Sequence, residues 1–92
     1  MTGDIRQSVI SGKPYPVTHP PAGAATGLDL FLGDAEFTID LGGDPRLVRG
    51  RGVRQDTVVR FHEKDHIGGK DVRVWHVRDL GAGFVAEAIS AF

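Results

Sequence analysis

Apolar and polar residues alternate with a period of two along most of the chain. Ala35, Phe37 and Ile39 fall on one side of their run, and Glu36, Thr38 and Asp40 on the other. From Thr57 to His62, Thr57, Val59 and Phe61 oppose Val58, Arg60 and His62. Such alternation marks a half-buried β-strand. Arg46 to Arg54 forms another such run. The clearest hairpin pairs Val72–Val77 with Phe84–Ile89 across Arg78-Asp79-Leu80-Gly81-Ala82-Gly83. Leu28–Leu32, set off by Gly33-Asp34, reads as a further short strand. Ser8–Ile10 and Tyr15–Thr18 flank a Ser11-Gly12-Lys13 turn as a first hairpin. Pro14 and Pro16 lack the donors of a ladder and limit it to a sheet edge. Ala86–Ser90 also carries some helical propensity.

Six or seven strands in one short chain predict a mainly β fold, a small single-domain β-barrel or β-sandwich. Its core should hold Phe37, Ile39, Val59, Phe61, Val74 and Ile89, with Trp75 on the face opposite Val74. The stretch His19-Pro20-Pro21-Ala22-Gly23-Ala24-Ala25-Thr26-Gly27 has turn formers and little to bury. It predicts an N-terminal arm over 1–27 and a β core over 28–92. Gly50 and Gly52 share a strand face with Val48, which signals a bulge, a bend or close approach by another backbone.

Composition narrows the function classes. The chain has 92 residues, 40% hydrophobic and 25% charged, the balance of an ordinary globular domain. No apolar run approaches the ~20 residues of a membrane-spanning helix. Eleven Lys and Arg against twelve Asp and Glu leave a net charge of −1, so any polyanion binding must be local and specific nucleic-acid binding is not expected. The absence of cysteine removes disulfides, thiolate metal sites and cysteine nucleophiles. The N-terminus, with Asp4 and no long apolar stretch, does not read as a secretory signal, and cytoplasmic synthesis is the expectation.

The sharpest chemical motif is His62-Glu63-Lys64-Asp65-His66, an H-E-x-x-H match. On a helix its histidines would share a face and ligate zinc while the glutamate activates water. β-branched residues before His62 and Gly68-Gly69 after His66 argue against that helix. The segment is therefore expected to be a charged turn with Glu63 in solvent, and no metal, cofactor or catalytic residue is predicted. His76 could approach His62 or His66 across a sheet. Neither a G-x-S-x-G elbow nor a phosphate-binding glycine loop is present. A small zinc-dependent hydrolase using this motif is the alternative reading.

Arg46, Arg49, Arg51, Arg54 and Arg60 crowd into one stretch with few acids nearby. Guanidinium groups grip carboxylates bidentately, which makes these five, with His19, Pro20 and Pro21 of the arm, the candidate partner-binding residues. Parity places Arg49, Arg51 and Val53 on one face and splits the others from them.

The C-terminal third resembles a known family. The turn Ile67-Gly68-Gly69-Lys70, the strand Asp71-Val72-Arg73-Val74-Trp75-His76-Val77, the turn from Arg78 to Gly83 and the strand Phe84–Ile89 look like the closing hairpin of small tailed-bacteriophage head-tail joining proteins. The resemblance implies a non-enzymatic virion protein, assembled in the host cytoplasm, that joins or decorates head or neck components; a tail component fits the same pattern. It further implies a homo-oligomer with other virion proteins (portal or adaptor, capsid, tail) as partners, without a membrane.

Overall fold

In the computed structural model, which describes residues 9 and 11–91, six antiparallel strands close into a barrel in sequence order. They are β1 (Pro14–His19), β2 (Gly33–Asp40), β3 (Pro45–Gln55), β4 (Val58–Lys64), β5 (Asp71–Asp79) and β6 (Phe84–Ala91). The mainly β, single-domain fold forms as predicted, and of the two expected architectures, barrel and sandwich, it is the barrel. Each neighbour follows its predecessor in the chain, and β1 closes the wall against β6. Such closure leaves no sheet edge.

β1 corrects two expectations. It was expected to end at an edge within an arm, yet Tyr15 is buried in the wall and pairs with Ala86, while Val17 pairs with Ile39 of β2. Successive N–H groups along a strand point to opposite neighbours, so Pro14 and Pro16 both lack their donor on the same flank. Ser11 Oγ and Gly12 N donate to the carbonyl of Ala88 at 3.1 and 2.6 Å, which carries the chain along β6 into β1. The other half of the expected first hairpin, Ser8–Ile10, lies largely outside the described residues.

Leu28–Leu32 is not a strand. Gly27–Phe31 forms a 3-10 turn that buries Leu28 and Phe31, leaving Asp29 exposed. The two apolar residues stand three apart and so lie on one side of a three-residue turn, where a strand would have placed them on opposite faces. This turn touches β2, β3, β4 and β5 and plugs one end of the barrel. Phe31 meets the rings of Phe37 and Phe84 edge-on, with centroids 5.1 and 4.9 Å away, and Phe37 meets Phe61 at 5.0 Å. Gly52 makes the plug possible, because a Cβ there would collide with the Phe31 carbonyl; at Gly50 it would collide with that of His62. The glycine pair thus marks close backbone approaches, one of the three features its place in the strand signals.

Phe37, Ile39, Val59, Phe61 and Val74 are fully buried, but Ile89 is only partly so. Ala86 and Ala88 face inward in its stead, and their small size leaves room for Trp75, whose ring packs edge-on against Tyr15 at 6.3 Å. The expected facing is reversed on β5: Trp75 joins the interior cluster, while Val74, also buried, lies on the other face beside a register shift against β6. The helical alternative over Ala86–Ser90 gives way to β6, whose backbone donors and acceptors serve two neighbours.

Gly52→Ala should lower stability by ~1–3 kcal/mol through overpacking against the plug. Gly83→Ala, where nothing lies near the added methyl, should be nearly neutral. Urea midpoints of the two variants measure the difference, and equal midpoints would mean that the plug yields freely.

Candidate functional site

Glu63 points into the barrel. Parity along β4 puts it on the face of Val59 and Phe61, and its side chain lies at the end opposite the plug. Arg46 of β3 donates to both of its oxygens, Nη1 to Oε1 at 3.4 Å and Nη2 to Oε2 at 2.9 Å. Arg73 of β5 donates to Oε1 at 3.2 Å, and the Trp75 indole N–H reaches the same oxygen at 2.9 Å. A carboxylate taken out of water needs such compensation, and four donated hydrogen bonds supply it. The expected solvated Glu63 is therefore corrected: it is an interior tie between three strands.

The H-E-x-x-H motif does not acquire its helical geometry. His62 lies on the outer face of β4, opposite in parity to Glu63, and His66 is exposed in the β4–β5 turn. His62 Nδ1 stands 3.6 Å from Asp71, which also takes an ion pair from Lys64. The hydrogen bond from Lys64 is the chief cause that holds the Asp71 carboxyl below its ordinary range, aided by the charges of Lys64 and His62. His76 projects outward from β5 with Nε2 buried and without a hydrogen-bond partner. Among the described residues, no three His, Cys, Asp or Glu side chains gather as a metal site requires.

The five arginines separate. Arg46 is interior, so it is removed from any partner surface. Arg49 and Arg51 project outward from β3, where Arg51 reaches Asp34 at 3.4 Å and Arg49 has no ion pair among the described residues. Arg54 bonds Asp29 at 3.3 Å and the Asp56 carbonyl at 3.0 Å beside the plug. Arg60 is half-buried on the outer face of β4. Of the arm residues, His19 ends β1 and is exposed, Pro20 is exposed and Pro21 is buried.

Two features escaped the sequence reading. One is a groove of about 690 Å³ outside β2, β3 and β4, bounded by Leu30 and Leu32 on one side and by Lys64 and His66 on the other, with Glu36 and Arg49 between them. Pro21 and Ala22 of the connection from β1 to β2 complete its lining. The other is a pair of exposed aliphatic side chains on braced turns. Ile67 is 78% exposed in the β4–β5 turn and Leu80 is 67% exposed in the β5–β6 turn. Asp65 accepts from the Ile67 N–H at 3.1 Å, and Asp79 accepts from the Gly81 N–H at 2.8 Å. Such side-chain-to-backbone bonds fix a turn without a core.

No family model, curated protein or solved structure matches the chain.

Glu63→Gln should cost ~3–5 kcal/mol, because it leaves two guanidinium groups beside an uncharged acceptor in the interior. Chemical denaturation tests this, and an unchanged midpoint would show that the tie contributes nothing. Asp71→Asn should reduce stability at neutral pH and converge on the parent at acid pH. A carboxyl held low stabilises the fold above its unfolded pKa and loses that contribution as pH falls through the lower folded value. Parallel stability curves for the two proteins from neutral to acid pH would contradict this.

Proposed function

We propose that the chain is a non-enzymatic assembly protein of a tailed phage or phage-like particle, joining or decorating head or neck components. The observation that carries this reading is the placement of Ile67 and Leu80. They flank β5 at its two ends, nine residues of strand apart, or roughly 30 Å at ~3.3 Å per residue. Large aliphatic side chains held in water on braced turns at both ends of a barrel suit a part that contacts one neighbour on each side. The interior supports the same reading, since side chains fill it and its carboxylate is tied to two arginines. The likeness of the C-terminal hairpin to head-tail joining proteins supplies the class of neighbour: portal or adaptor, capsid or tail proteins.

Mass spectrometry of purified particles should find the chain in several copies per particle, and particles made without it should show unjoined heads and tails, or bare heads, in negative stain. Its absence from purified particles would overturn the proposal.

A further inference from the structure

The groove and the Leu80 turn lie on different sides of the barrel. In the cyclic strand order, the seam between β2 and β3 is diametrically across from that between β5 and β6. We infer that the β5–β6 turn of one copy seats in the groove of the next, so that copies assemble head to tail. This deepens the assembly reading and rests on it.

The shapes match first. The turn is convex and internally tied, with the Leu80 N–H on the Gly83 carbonyl at 2.8 Å in addition to the Asp79 bond. It therefore loses little conformational freedom on docking. A groove of about 690 Å³ is of a size to admit a four-residue turn led by one leucine. Chemistry then selects the orientation. Leu30 and the 37% exposed Leu32 form an apolar wall for Leu80. Arg49 and His66 have no hydrogen bond or ion pair among the described residues, and they lie where Asp79 of the incoming turn can be met; Asp79 spends only Oδ1 within its own turn. Arg78 at the shoulder of that turn keeps its own partner, Glu87 at 2.8 Å, so the charge match rests on Asp79.

The other exposed aliphatic side chains fit less well. Ile67 is flanked by His66 and Gly69, which themselves line the groove, while Leu47 and Val53 stand on strand faces and do not protrude. A second copy's Leu80 turn is the occupant that combines protrusion, an acid and a distant position. A contact between two different surfaces is heterologous and produces a ring or a filament, whereas a two-fold contact would end at a dimer.

Sedimentation velocity on the full chain tests the contact with two variants, Leu80→Glu for the turn and Leu32→Glu/Arg49→Glu for the groove. All three positions are exposed, and unfolding midpoints should match the parent. The parent should form species larger than a dimer as concentration rises. Each variant alone should associate at least about tenfold more weakly. An equimolar mixture should give one-to-one dimers and nothing larger, since one intact turn and one intact groove remain. A parent that stays monomeric up to its solubility limit, or a mixture that yields no dimer, would overturn the contact. If Leu80→Glu assembled as the parent does, the contact would also fail while the assembly reading stood on another surface.

Discussion

The approach of the Phe31 backbone to Gly52 governs how this barrel is filled. Six strands enclose a space that side chains must occupy, and the strands alone leave one end to be stopped. The chain stops it with the turn Gly27–Phe31, which buries Leu28 and Phe31. That turn fits only because position 52 has no side chain. Two consequences follow: the Phe31, Phe37, Phe61 and Phe84 cluster, and the groove that Leu30 and Leu32 wall on one side. A residue with a Cβ at position 52 would affect both together.

The opposite end is filled by charge. Arg46, Glu63 and Arg73 come from consecutive strands and meet in the interior beside Trp75. Hydrophobic residues there would fill the same volume, and buried ion pairs often stabilise no better than such replacements. What the arrangement adds is geometric specificity. Arg46 sits in register beyond Val48, Glu63 beyond Phe61 and Arg73 beyond Trp75, and a slip of one residue in any of the three strands would send its charge outward and strand the others.

The strand pattern was legible because alternation through β2 and β4 is regular, and the inward parity of Glu63 was legible with it. Extending Val59 and Phe61 by two residues reaches Glu63, just as Val48 leads back to Arg46 and Trp75 to Arg73. The default that charge belongs in solvent concealed a pattern in which three charges shared inward positions and could satisfy one another. The plug was hidden for a different reason. In five residues, a spacing of three and a spacing of two are hard to tell apart, and only the need to close a barrel end decides between them. β1 is hard to read because a proline removes a donor from only one flank of a strand, and sequence does not show which flank needs it. The groove had no sequence signal, since its walls come from segments far apart in the chain.

Closure of β1 against β6 also sets the order in which the molecule can be made. The first strand is synthesised before its partner by the length of the four strands between them. Until then β1 and β5 are both open edges, and the nascent chain carries the unpaired backbone that recruits other strands. A stalled or truncated product lacking Phe84–Ala91 would remain an open sheet, exposed to every similar chain around it.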